Sequence, residues 1–335
     1  MGLSSFQPRH GGDLAAAQRT FGSPPCGWLD LSTGVNPWPY PYGTISPETL
    51  TRLPQDDAMA ALLAAAREAY GIAPARGLAA APGSQALFQL LPTMRTLCRV
   101  AVLAPTYDEH AVAWRRLGHV VEEVGSLGER PDADVVVVVN PNNPDGRTTD
   151  RKTLARAAEE LARRGGWLVV DETFADVAPD VSLASAPGFP NTLIVRSFGK
   201  FFGLPGLRLG FVAGPPTLVD GIARRLGPWA VSGPALEIGR QALADTDWIV
   251  RTRARLAEMR LQLDSVLSGA GLTLVGGTDL FRLVETAGAR DLSHRLGRAG
   301  ILVRSFDRHP GWLRIGLPPS ADALQRLSAE LKGAW

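Results

Sequence analysis

Five consecutive valines, Val135–Val139, constrain the fold more tightly than any other stretch of the chain. A strand presents alternate side chains to opposite faces, so a run that is β-branched throughout has no face suited to water. Such a strand belongs in a sheet covered by helices on both sides, the usual setting of parallel sheets. Helical and strand patterns alternate around it. Asp56 and Asp57 are placed to cap an Ala/Leu-rich helix that runs to Tyr70 and stops at Gly71. Strands are predicted over 100–103, 167–170, 192–195 and 209–213. A helix is predicted over 111–117, and a second, capped by Asp150, ends at Gly165-Gly166. This alternation predicts an α/β fold: a three-layer α/β/α large domain with a mainly parallel sheet over residues 39–244.

Beyond Gly214-Pro215-Pro216 the texture changes. An amphipathic helix is predicted over 248–268, followed by short strands over 272–275, 280–284, 301–303 and 313–315. The last helix has Ser320 as its N-cap and Gly333 at its end. These elements predict a smaller α+β domain over 245–335, with residues 1–38 as an N-terminal arm. The Pro/Gly-rich stretch 24–47 reads as an extended arm that buries Trp28, Trp38, Tyr40 and Tyr42.

Several function classes lose support on composition and motif. Lys and Arg (35) barely exceed Asp and Glu (33), and a formal charge of +2 is too small for a nucleic-acid footprint. With 45% hydrophobic and 20% charged residues, the chain has the balance of a folded protein with a sizeable core. The five-valine run is far short of the roughly 20 residues that span a bilayer, so no membrane role is expected. The first ten residues carry no apolar signal segment, and Phe6 stands where myristoylation wants Ser or Thr. Two cysteines, Cys26 and Cys98, make no disulfide framework, and the cytoplasm is the expected compartment. No Gly-x-Gly-x-x-Gly follows a strand, no P-loop is present, and the five histidines include no pair at metal-ligand spacing. A small-molecule ligand is the expected partner, with no metal.

The chemistry-bearing stretch is Ser197-Phe198-Gly199-Lys200-Phe201-Phe202-Gly203-Leu204-Pro205-Gly206-Leu207-Arg208-Leu209-Gly210, which follows a predicted strand. An amine among apolar groups has its charged form disfavoured and can attack a carbonyl. The plain alternative is a lysine that snorkels to the surface. Three further segments sit at predicted strand ends or helix starts. Asp171-Glu172 and Asn140-Pro141-Asn142-Asn143-Pro144-Asp145-Gly146 follow strands, and Gly83-Ser84-Gln85 opens a helix whose amides can hold a phosphate. Each has a structural alternative as a loop acid, a turn or a helix cap.

In this order and spacing the motifs resemble the fold-type I pyridoxal-phosphate enzymes of the aminotransferase class I/II superfamily, over nearly the whole chain. The resemblance implies the cofactor pyridoxal 5′-phosphate, held through its aldehyde by Lys200. It implies that Asp171 pairs with the ring nitrogen, Asn143 donates to the ring O3′, and Tyr107 stacks on the ring face. Ser197, Arg208 and the Gly83, Ser84 and Gln85 amides are implied to hold the cofactor phosphate. Arg314, in Trp-Leu-Arg-Ile-Gly, resembles the arginine that takes the substrate α-carboxylate, with Arg304 a second cation. Many family members have Tyr three residues after the ring-nitrogen aspartate; here Phe174 leaves O3′ to Asn143 alone. The family usually works as a homodimer.

His10-Gly11-Gly12-Asp13 and Leu31-Ser32-Thr33-Gly34-Val35-Asn36-Pro37, with Phe174, look most like the threonine-phosphate decarboxylase branch of cobalamin biosynthesis. That resemblance implies a small phosphorylated amino acid as substrate, L-threonine O-3-phosphate, with His10, Gly34 and Asn36 near its phosphate. It implies (R)-1-amino-2-propanol O-2-phosphate and CO2 as products. A histidinol-phosphate-type aminotransferase is the alternative, and a non-enzymatic binding protein of this fold is disfavoured because Lys200 and Asp171 are both present.

Overall fold

The computed structural model describes residues 10–186 and 189–332. The chain divides into two units, one of Trp38–Ala254 and the other of the residues up to Pro37 together with those from Arg255 onward. The N-terminal arm contributes strand β1 (Leu29–Asp30) to the second of these.

Residues 38–254 form a seven-stranded sheet. Its strands are β2 (Gly77–Ala81), β3 (Arg99–Leu103), β4 (Val120–Val124), β5 (Val135–Val139), β6 (Trp167–Asp171), β7 (Thr192–Ser197) and β8 (Gly210–Gly214). Their spatial order is β2-β8-β7-β6-β5-β3-β4. Strands β4, β3, β5, β6 and β7 are parallel, and β8 runs antiparallel to both β7 and β2. The valine run is β5, and it sits between β6 and β3 with Val135, Val137 and Val138 fully buried. Each such side chain contributes on the order of 1.5–3 kcal/mol of hydrophobic stabilisation. Leu87, Phe88, Trp114, Val102 and Val169 belong to the same core cluster.

A buried ionic knot fixes the chain that leaves β6. Arg196 forks between Glu172 (3.0 Å) and Asp176 (2.9 Å), with its guanidinium 4.3 Å from the Tyr70 ring. Ser182 and the Leu183 amide also donate to Glu172, at 2.5 and 2.7 Å. Burial pushes the Asp176 carboxyl up, and Arg196 and Arg253 oppose that shift. A buried pair of this kind is strongly destabilising to break from one side, which ties residues 172–183 to the sheet.

The other unit holds a four-stranded antiparallel sheet in the order β12-β13-β10-β9. These four strands are β9 (Thr273–Thr278), β10 (Phe281–Glu285), β12 (Arg304–Ser305) and β13 (Trp312–Gly316), while β11 (Ile301–Leu302) pairs with β1 in parallel as a separate two-stranded sheet. The arm contains a helix, Leu14–Phe21, capped by the Asp13 carboxylate on the Ala16 amide. That helix packs on the helix Ala289–Arg298, where a Cβ on Gly297 would fall 2.6 Å from the Phe21 ring. No helix among the described residues is long and apolar enough to cross a membrane.

Some sequence expectations are corrected. Tyr42 is exposed while Tyr40 is buried. Gln55 takes the cap position of the helix Asp56–Ala69, so Asp56 and Asp57 lie in its first turn, where carboxylates favour the helix dipole. The helix predicted over 111–117 is Glu109–Arg116. Asp171 is the last residue of β6 rather than the first beyond it. The Ser320 hydroxyl oxygen accepts from the Ala323 amide at 3.1 Å, while Gly333 lies outside the described residues.

Candidate active site

The pairing directions send one set of chain ends to one sheet edge. β2 is antiparallel to β8, and β8 to β7, so β2, β3, β5, β6 and β7 all finish on the same side. That carboxyl edge is where open α/β sheets bind ligands. Gly83, Ser84 and Gln85 follow β2; Tyr107 follows β3; Asn143 follows β5; Asp171 ends β6; Ser197 ends β7, with Lys200 beyond it. Arg208 arrives at the same edge immediately before β8.

One end of this edge is a cradle built by absent side chains. Gly210 pairs with Ala81 on one side and Ser197 on the other. A Cβ on Gly210 would fall 2.5 Å from the Ser84 backbone nitrogen, so no other residue fits. Gly83, with φ of 86°, holds a backbone conformation that favours glycine, and a Cβ there would displace Arg208 Nη2, which it would meet at 2.4 Å. Arg208 is held in the left-handed conformation, φ 53° and ψ 60°, and donates from Nη1 to the Pro205 carbonyl at 3.0 Å. A non-glycine residue there carries strain of roughly 1–2 kcal/mol, the kind of cost that persists where geometry serves a ligand. Its planar fork suits phosphate oxygens.

The middle of the edge is organised on Asp171, whose side chain is 3% exposed. His110 Nε2 lies 2.9 Å from Asp171 Oδ2. A carboxylate only accepts, so that imidazole nitrogen carries the proton. The Thr173 amide donates to Oδ1 at 2.9 Å, and the Thr173 hydroxyl donates to the same oxygen. His110 is itself wedged against the Phe88 ring at 4.4 Å and lies 6.0 Å from the Tyr107 ring. Sequence reasoning counted His110 only in a search for metal ligands. Its place in the first turn of the helix Glu109–Arg116, just after Tyr107, is the local feature that brings it to this edge.

Neighbouring polar groups hold the other edge residues. The Tyr107 hydroxyl donates to Gln85 Oε1 at 3.3 Å, and Gln85 Nε2 donates to Glu109 at 2.8 Å. The Gln85 side chain thus steadies Tyr107. Asn142 is buried and bridges two loops. It accepts from the Thr106 hydroxyl (2.5 Å) and donates to the Pro105 carbonyl (2.9 Å) and to Asp145 (2.7 Å). Asn143, the next residue, is half-buried. Lys200 is half-buried, with Nζ 5.9 Å from the Phe174 ring. The aromatics around it, Phe198, Phe201 and Phe202, turn into the core, with Phe198 and Phe202 stacked at 4.4 Å.

The remaining predicted residues belong to the other unit. Arg304 and Arg314 are register partners across β12 and β13. Like charges placed opposite one another on a sheet are unfavourable without an anion to answer them. Arg314 is 7% exposed, and its Nη2 donates to the Ser32 carbonyl at 2.7 Å. Gly34 and Asn36 are buried on the stretch that follows β1, and His10 is exposed. The residues beside His10 are anchored, since the Gly12 amide donates to the Ser32 hydroxyl at 2.7 Å.

The cradle and the donor-rich Asp171 match what pyridoxal 5′-phosphate asks of a protein: an anion seat at one end and a fixed acid at the other. The aminotransferase class I and II family matches residues 46–330, and the chain belongs to that family. Within it, the threonine-phosphate decarboxylase of Pseudomonas aeruginosa is 44% identical over 327 residues, covering 97% of each chain. Two solved structures share the fold at 20% identity. The histidinol-phosphate aminotransferase from Sinorhizobium meliloti in complex with pyridoxal-5′-phosphate has a TM-score of 0.81, covering 99% of this chain and 98% of that one. The L-threonine-O-3-phosphate decarboxylase from Porphyromonas gingivalis has a TM-score of 0.76, covering 91% and 98%.

Proposed function

We propose that this protein is a pyridoxal-phosphate-dependent decarboxylase that converts L-threonine O-3-phosphate into (R)-1-amino-2-propanol O-2-phosphate and CO2, a step of cobalamin biosynthesis. The observation that carries this reading is the 44% identity to a threonine-phosphate decarboxylase across 97% of both chains. The donor set on Asp171 supports the cofactor half of it.

The cofactor, when bound, supplies an electron-accepting ring for the electron pair left on the substrate α-carbon as CO2 departs. Asp171, with His110 behind it, holds the proton at the ring nitrogen. Ser197, Arg208 and the amides of Gly83, Ser84 and Gln85 would hold the cofactor phosphate, Asn143 would hold the ring oxygen, and Tyr107 would cover the ring face. Lys200 would hold the cofactor through its aldehyde, and its Nζ is the amine that would deliver the proton the substrate α-carbon needs. Arg314, with Arg304, binds the substrate carboxylate, and His10, Gly34 and Asn36 bind its phosphate. Anchoring the substrate at both ends would fix its orientation, and with it which α-carbon bond is presented for cleavage. Remote binding energy spent on such orientation lowers a barrier by several kcal/mol.

The working form is a homodimer, as the resemblance to this enzyme class implies, and two cysteines without a disulfide framework fit a cytoplasmic setting. The test is direct: L-threonine O-3-phosphate is expected to release CO2 in step with amino-propanol phosphate. Amino transfer from histidinol phosphate to 2-oxoglutarate without CO2 would replace this reading with the aminotransferase one. Analytical ultracentrifugation decides the dimer.

A further inference from the structure

Ser32 is a junction that no proposed role yet uses. Its side chain is buried, and its hydroxyl donates to Asp30 Oδ1 at 2.6 Å while accepting the Gly12 amide at 2.7 Å. Its own amide also donates to Asp30 Oδ1, at 2.8 Å. Its carbonyl accepts Arg314 Nη2 at 2.7 Å. Gly11 packs against that same carbonyl so closely that a Cβ on it would fall 2.3 Å from the oxygen. The flanking residue Leu31 accepts the Gly316 amide at 2.7 Å, two residues beyond Arg314. One serine thus ties the His10-Gly11-Gly12 segment to the strand that carries Arg314.

We infer that Ser32 is a positioning residue that fixes the spacing between the phosphate-binding arm and the carboxylate-binding strand, and so sets which bond of the substrate is presented for cleavage. This rests on the decarboxylase reading. A serine hydroxyl suits the place because it donates to a carboxylate and accepts an amide at once. Alanine would take one hydrogen bond from the Gly12 amide and one from the Asp30 carboxylate, which keeps the amide of residue 32, and so loosens the arm while leaving the Arg314 contact to the backbone. With the phosphate end slack, the carboxylate is no longer turned to its reacting position, and loss of the α-proton competes.

The test uses the full-length holoenzyme and two variants that disturb the junction from opposite sides, Ser32→Ala and Gly11→Ala. Hydrogen exchange read by mass spectrometry is expected to speed up at least tenfold in residues 10–13 in both variants, and to rise in residues 312–316 as well in Gly11→Ala, whose Cβ would push on the carbonyl that Arg314 holds. In both variants KM for L-threonine O-3-phosphate is expected to rise tenfold or more. The ratio of CO2 to keto acid is expected to fall from the wild-type value. Folded variants that keep the wild-type KM and product ratio overturn the inference, as does exchange in Gly11→Ala that rises in 10–13 and not in 312–316. A wild-type enzyme that releases no CO2 defeats the functional reading instead, and the exchange measurement then decides the Ser32 tie on its own.

Discussion

His110 Nε2 and Asp171 Oδ2 lie 2.9 Å apart, with both side chains only 3% exposed. Two buried polar groups that answer each other depend on each other, because removing one strands its partner away from water.

His110→Phe keeps the packing against Phe88 and removes the donor. Losing a partner of a buried charged group costs about 1–3 kcal/mol, or roughly a 5- to 150-fold weakening. The expected outcome is weaker retention of pyridoxal phosphate and a fall in kcat, read by cofactor titration of the apo-protein and by turnover. Unchanged cofactor affinity would make His110 a packing residue only.

Lys200→Ala is expected to abolish the visible absorbance of the lysine-bound cofactor in the purified protein. Thermal melting should shift little, since Lys200 is half-buried beside a core made by its aromatic neighbours. A variant that stays yellow places the covalent link on another residue.

Arg314→Ala removes a guanidinium that also braces the Ser32 carbonyl. Hydrogen bonds to charged groups are worth about 1.5–3 kcal/mol, so KM for substrates with an α-carboxylate should rise roughly 10- to 150-fold. Steady-state kinetics checks it, and an unaltered KM would move the carboxylate site elsewhere.

Stability at alkaline pH turns on Tyr70. Burial holds its phenol well above the usual tyrosine value; Asp176 adds to this and Arg196 opposes it. Below pH of about 10 both folded and unfolded chains keep the proton, so its contribution is fully present there. Above that value the unfolded chain loses a proton that the folded one retains, and stability falls by about 1.4 kcal/mol per pH unit for one such group. Tyr70→Phe should flatten that fall. Tyr40, raised by burial and by Asp245, keeps part of the slope. At neutral pH the substitution should cost little, because the Tyr70 hydroxyl has no hydrogen-bond partner among the described residues. Chemical denaturation at pH 7 and above pH 10 separates the two effects.

The parts of this molecule legible in its sequence are those written in local chemistry. Val135–Val139 declares a covered strand by side-chain branching alone, and Asp150 declares a helix start, its carboxylate meeting the Lys152 and Thr153 amides as expected. β2 was illegible because Gly77–Ala81 is made of glycine, leucine and alanine, which carry little strand preference. It is a strand because it pairs with β8, a partner far along the chain. The link between His110 and Asp171 spans 61 positions, and no local pattern encodes it. Ser32 was quoted within a motif, yet its joining of Gly12 to Arg314 depends on a sheet that forms only when the chain ends come together.

The left-handed backbone at Arg208 sets two kinds of selection against each other. Glycine would sit there without strain, so a library screened for heat resistance alone should drift toward Arg208→Gly. A library screened for turnover should refuse that change, since the guanidinium over Gly83 would be gone. Sequencing both populations after several rounds would reveal whether this position trades durability for grip.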